Sequence, residues 1–221
     1  VTNVHFYDPF SKDFTEVIKE LANYEERRQA LLKQRIALEN QQNELAKKAL
    51  KRLEGVQTIG TLPFEALLVA DGGNRLKSIV SLLPFYGVDA DNTQLLGTGQ
   101  WDEVGIGKEP ALMGGWFAAP SPNTRRDFEK KYFNIYKRQP PRLATLAYDA
   151  TALGASLAKN AGLKGFNINA LTDGAGFLGR DGLFRLLKDG TTERGLAVLE
   201  VGVNKSLIIS NAPKSFDGDR N

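Results

Sequence analysis

Ala66-Leu67-Leu68-Val69-Ala70-Asp71-Gly72-Gly73-Asn74 is a short, fully apolar strand, a glycine turn and the entry to a helix. Uninterrupted apolar strands of this kind belong to sheets covered by helices on both faces. The helix that follows carries Leu76, Ile79, Val80 and Leu83 at helical spacing and is closed by Pro84. The same unit then recurs. Gln94-Leu95-Leu96-Gly97 is the next strand, and a third runs from Leu112 to Ala118 and stops at Pro120. A helix with Phe128, Tyr132, Ile135 and Tyr136 on one face leads to Pro140-Pro141. Another follows with Leu143, Leu146, Ala147, Ala150, Leu153 and Leu157. The tail is richer in strands: Leu183–Leu187 and Leu196–Val203 flank the turn signal Asp189-Gly190, and Lys205–Ser210 adds one more. Alternating β and α with a β-rich tail predicts an α/β fold built on an open, mostly parallel sheet with helices on both faces.

Upstream, Val4-His5-Phe6-Tyr7 reads as a first strand and Asp8-Pro9 as a turn. Asp13 and Glu16 have the spacing of a capping box ahead of Phe14, Val17, Ile18 and Leu21. A chain that opens inside a strand, without methionine, is expected to have lost an N-terminal part. Residues 24–54 differ in being rich in Glu, Gln, Lys, Arg, Ala and Leu, all good helix formers. They read either as one helix reaching roughly 45 Å, or as a hairpin broken at Asn40-Gln41-Gln42-Asn43. Leu31, Leu38 and Leu45 repeat every seven residues, but Arg35 and Gln42 interrupt the seam and argue against a long coiled coil. The segment is either a solvated helix with one apolar stripe or an arm that docks a partner.

Composition narrows the chemistry. Of 221 residues 42% are hydrophobic, enough for a substantial core, and no apolar run approaches the roughly 20 residues needed to span a bilayer. The net charge of +3 is small and the basic stretch 27–52 lacks aromatic residues, so a nucleic-acid partner is not expected. With no cysteine and a single histidine, His5, neither thiolate nor clustered histidine metal sites can form. No Gly-x-Ser-x-Gly elbow is present. Ser156-Leu-Ala-Lys159 matches Ser-x-x-Lys but lacks the companion motifs of the penicillin-recognising enzymes. The segment Asp173–Asp181 reads as a glycine-rich loop, not a calcium loop. No catalytic residue, metal or cofactor is expected.

Two junctions remain. Asp71-Gly72-Gly73 and Gly97-Thr98-Gly99-Gln100-Trp101-Asp102 each follow a strand, where open α/β sheets hold their ligands. Their glycine spacing fits neither the dinucleotide fingerprint nor the P-loop.

The order of these motifs carries a resemblance. Tyr7-Asp8-Pro9 with Asp13-Phe14-Thr15, then Ala70-Asp71-Gly72-Gly73, Leu96–Trp101 and Gly114-Gly115-Trp116-Phe117-Ala118-Ala119-Pro120 come first. Ala147-Tyr148-Asp149-Ala150 and Phe177–Arg185, with Asp189-Gly190 and Glu193-Arg194, follow. The chain resembles the type I periplasmic binding proteins of the leucine/isoleucine/valine-binding kind, closest to the proteobacterial branch labelled penicillin-binding protein activator or substrate-binding protein of an amino-acid ABC transporter. The resemblance spans nearly everything except residues 24–55, which look like a helical insertion.

What the resemblance implies is a non-catalytic, two-lobed protein of the periplasm, secreted or lipid-anchored through an absent N-terminus. Residues 1–141 would be the second lobe, 142–212 the crossover helix and C-terminal strands, and 213–221 a disordered tail. It further implies that Asp71, Gly72 and Gly73 line the cleft and that an acid after the next strand pairs with a ligand's ammonium. Gly99 stands at that position, leaving Asp71 or Asp102 as substitutes. Tyr7, Thr98 and Gln100 complete the candidate contacts. Trp101 offers either a flat ligand surface or core packing.

Two functions follow as expectations. One is a solute-binding protein for an amino acid or another small polar ligand, working with a membrane permease. The other is an interaction module that activates penicillin-binding proteins through residues 24–54. Exposed apolar surface on such a fragment is expected to favour self-association.

Overall fold

A computed structural model describes residues 3–216 apart from 42, 104 and 142. Two compact units are resolved along the chain, 1–116 with 201–206 and 117–200 with 207–221.

The first unit opens in coil. Val4–Tyr7 forms no strand, contrary to the reading of its apolar run, and Val4 and Phe6 are exposed. The first regular element is α1 (Thr15–Leu21). Asp13 Oδ1 accepts the Thr15 N–H at 2.9 Å, a local turn in place of the expected capping box. Because the helix begins at Thr15, Phe14 takes the cap position and makes no side-chain cap bond.

The charged segment is a hairpin of α2 (Tyr24–Glu39) and α3 (Glu44–Arg52). Asn43, in an extended conformation, ends the break by accepting the Ala46 N–H on its side chain at 2.7 Å. Leu31 is buried whereas Leu45 is exposed, so the seven-residue repeat defines no seam. Tyr24 packs edge-on against Tyr86 at 5.0 Å, and Arg27 Nη1 donates to the Tyr86 carbonyl at 3.1 Å, tying the hairpin to its unit.

The βα units then appear as read. β1 (Ala66–Val69) pairs in parallel with β2 (Gln94–Gly97), Ala66 opposite Gln94 and Val69 opposite Gly97. Between them α4 (Gly73–Leu82) buries Leu76, Ile79 and Val80. Leu68 is exposed, so β1 is not covered on both faces as its composition suggested. β3 (Trp116–Ala119) starts later than expected, because Pro110–Leu112 is a 3-10 turn and Gly114 has φ +77°.

In the second unit, α5 (Pro122–Tyr136) and α6 (Ala144–Ala161) match their readings, with the short α7 (Ile168–Leu171) after them. The segment read as a glycine-rich loop contains β4 (Phe177–Gly179), paired antiparallel to β5 (Gly182–Leu186). The partner of β5 across Asp189-Gly190 is the polar β6 (Thr192–Gly195), joined by an Arg185–Glu193 ion pair. The apolar run after it becomes β7 (Ala197–Glu200), antiparallel to β8 (Leu207–Ser210). The open, mostly parallel sheet has the order β1-β2-β3-β7-β8, and β4-β5-β6 is separate. Part of the expected disordered tail is packed: Arg185 lies 4.4 Å over the Phe216 ring, and Pro213 sits against Gly195. Residues 217–221 of that tail lie outside the described residues.

Trp101 centres the first unit. It is wholly buried, and Nε1 donates to the Val69 carbonyl at 3.2 Å. A Cβ on Gly97 would lie 2.1 Å from its ring, and one on Gly115 2.9 Å from it. Gly97→Ala therefore forces the ring out of place and should cost about 1–3 kcal/mol, while Trp101→Ala should cost about 3–5 kcal/mol. Urea unfolding midpoints test both, and a neutral Gly97→Ala would show that the ring does not occupy this space.

Candidate functional site

Side chains from three separated segments converge where β1 ends. Asp71, the second residue past the strand, is 5% exposed. Its Oδ1 accepts the N–H of Gly72 at 2.8 Å. Its Oδ2 accepts the Tyr7 hydroxyl at 2.9 Å and Arg75 Nε at 2.8 Å. Arg75 Nη1 also donates to the Pro9 carbonyl at 2.8 Å, so one guanidinium holds the N-terminal strap to the β1–α4 turn. Tyr7 packs edge-on against Phe14 at 5.2 Å, which fixes the ring.

The two βα turns touch. A Cβ on Gly72 would stand 3.0 Å from Gln100 Cβ and 3.1 Å from its carbonyl oxygen, so Gly72 is needed for the approach. Gly73 adopts φ +59°, a conformation that favours glycine. Thr98 accepts the Gln100 N–H at 3.3 Å and caps the 3-10 turn Gly99–Trp101.

The structure thus brings together Tyr7, Asp71, Gly72 and Gln100, with Gly73 and Thr98 adjacent in the same turns. Trp101 is not among them. Its ring points into the core, because Gly97 and Gly115 leave room there and Val69 offers a carbonyl to its N–H. Of the two readings of Trp101, ligand surface or core packing, the ring takes the second. Asp102 follows the 3-10 turn and is partly buried. Arg75 escaped the sequence reading, although its spacing of four from Asp71 on a helix entry is a recognisable pairing signal.

The electrostatics follow from these bonds. Burial works to raise the Asp71 pKa. The bonds from Arg75, Gly72 and Tyr7, with the Arg75 charge, outweigh it and hold the carboxyl below its usual value. Burial, then the hydrogen bond and charge of Asp71, push the Tyr7 phenol up to about 12, against the pull of Arg75. Tyr7 is therefore a neutral donor to an ionised carboxylate. Among the described residues no group of three or more His, Asp or Glu could hold a metal ion.

A solved structure shares this arrangement of elements. The protein assigned to a branched-chain amino acid ABC transporter of Rhodospirillum rubrum aligns with a TM-score of 0.56 at 18% identity, covering 74% of this chain and 48% of that one. The fold is that of the type I periplasmic binding proteins. The ABC transporter solute-binding protein of R. palustris, solved with benzoate, aligns at 0.48 and 18% identity, over 76% and 47% of the two chains. The branched-chain amino acid transporter substrate-binding protein of Streptococcus pneumoniae, solved with isoleucine, aligns at 0.46 and 21% identity, over 76% and 48%. The chain spans about half the length of these type I structures. No protein-family model and no curated protein matches it.

The Asp71 cluster makes stability depend on acid. A carboxyl whose folded pKa lies below its unfolded value of 3.8 contributes fully above that value and loses its contribution as pH falls through the folded one. Asp71→Asn should therefore lower stability by about 1–3 kcal/mol near neutral pH, and the gap to wild type should narrow as pH falls below 3.8 and through the folded pKa. Asp13 and Asp189, also held low, are present in both proteins and cancel in the difference. Urea titrations across that range read the gap directly; a gap independent of pH would exclude an ionised Asp71 as its source.

Proposed function

We propose that this chain is the ligand-contacting part of a non-catalytic solute-binding protein of ABC-type uptake. It would work outside the cytoplasm, in the periplasm, beside a membrane permease. The observation that carries this reading is the meeting of two βα turns at the carboxyl ends of adjacent parallel strands, Gly72 against Gln100. In open α/β sheets ligands bind at that edge. The fold shared with the R. rubrum transporter protein supports it.

The side chains proposed to contact the ligand are Tyr7, Asp71, Thr98, Gln100 and Asp102, with the Gly72-Gly73 backbone. Recognition there is by shape and hydrogen bonding, with no bond made or broken. No helix among the described residues is long and apolar enough to cross a membrane.

A thermal-shift panel of apolar amino acids, hydroxy acids and aromatic acids tests the reading. A ligand at about 100 times its dissociation constant should stabilise the chain by about 2.7 kcal/mol. Gly72→Val, which wedges the two turns apart, should abolish that shift. A flat response to every compound, or a shift unchanged in Gly72→Val, would reject this site.

A further inference from the structure

Asp71 is the carboxylate best placed at this edge to receive a ligand's ammonium, and its charge is already used. A carboxylate offers about four lone-pair sites. Three of those on Asp71 are filled, by Tyr7, Arg75 and Gly72, and the residue is buried. The turn after β2 presents Gly99, not an acid. Asp102, past the 3-10 turn, is partly buried and already engaged within the protein; Asp8, on the strap, is exposed and holds the Phe10 N–H, so water and salt screen its charge.

The guanidinium that neutralises Asp71 has the opposite character. The Arg75 side chain is 48% exposed, and it spends Nε on Asp71 and Nη1 on Pro9. Its Nη2 makes no hydrogen bond among the described residues. An ammonium arriving here meets an ion pair of no net charge and the edge of a cation of its own sign. Losing its water without a counter-charge is costly. A carboxylate meets a planar donor whose geometry suits it.

Resting on the solute-binding reading above, we infer that Arg75 sets the ligand class of the site. It selects small carboxylates that lack an α-ammonium group over the corresponding amino acids. Arg75 acts on the ligand directly and also by offsetting the charge that Asp71 would otherwise offer an ammonium.

Matched pairs isolate the ammonium: 4-methylpentanoate against L-leucine, and phenylacetate against L-phenylglycine, titrated into the chain by calorimetry. The acid without nitrogen should bind more tightly in each pair by about tenfold or more. Arg75→Lys, which keeps the charge, should preserve that direction. Arg75→Gln, which releases Asp71, should erase or reverse it. Amino acids that bind as tightly as their partners, or a ratio unmoved in a folded Arg75→Gln, would overturn the inference and leave solute binding standing. If Arg75→Gln does not fold, the wild-type and Arg75→Lys ratios decide. Binding of neither class to any of these proteins would overturn the solute-binding reading and this inference with it.

Discussion

The first unit depends on the place taken by one indole. Trp101 follows β2 within four residues, yet its ring turns back under the strand end and hydrogen-bonds the last residue of β1. That donor matters because a wholly buried N–H without an acceptor is expensive. Gly97 and Gly115 provide the space, since a side chain at either would overlap the ring. Because Trp101 goes inward, the backbone of Thr98 to Gln100 is carried outward over the end of β1, where it reaches Gly72. The candidate site is thus a consequence of core packing one residue away.

How much of this was legible follows from which signals are local. β1, α4 and β2 were read correctly because an apolar run, a glycine turn and a helical stripe each carry their own punctuation. Val4–Tyr7 misled, since an apolar run becomes a strand only when another strand edge is there to pair with it. β6 was hidden for the converse reason: Thr192-Glu193-Arg194 looks like loop, but Glu193 finds Arg185 across the pair. The hairpin of α2 and α3 was one of two open readings, and Asn43 settles it by capping. In the site, Tyr7 and Asp71 were nominated by their places at the ends of predicted strands. Their mutual bond, 64 residues apart in sequence, leaves no local trace. The inward turn of Trp101 depends on Gly115, which sequence order places 14 residues away.

A second buried carboxylate is held differently from that of Asp71. Asp149, on α6, is buried and accepts the N–H groups of Arg180 and Asp181 at 2.7 and 3.2 Å. A Cβ on Gly179 would lie 2.3 Å from its carboxylate, so the β4–β5 turn is moulded around the acid. Thr145 adds a bond to Asp181 at 2.8 Å. Here the charge is met by backbone dipoles, and the result is a clamp between helix and hairpin inside the second unit. Asp149 makes no ion pair among the described residues. Asp71 does, and that difference separates the two.

In the proposed site Arg75 would join stability to recognition through one group. Its bond to Pro9 orders the strap, and its bond to Asp71 balances a buried charge. These tasks use Nε and Nη1 of the guanidinium, leaving Nη2 to water or ligand. A lysine could supply the charge but not two directed bonds with a donor to spare. An alanine would strip the strap of its anchor and leave Asp71 with a neutral phenol and one N–H for support. The same substitution would therefore alter the fold of the strap and the charge seen by a ligand. For the proposed recognition edge this coupling would have a physical benefit: a donor facing the ligand would already be oriented by the bonds that hold the protein together, so little freedom would be lost when a ligand arrives.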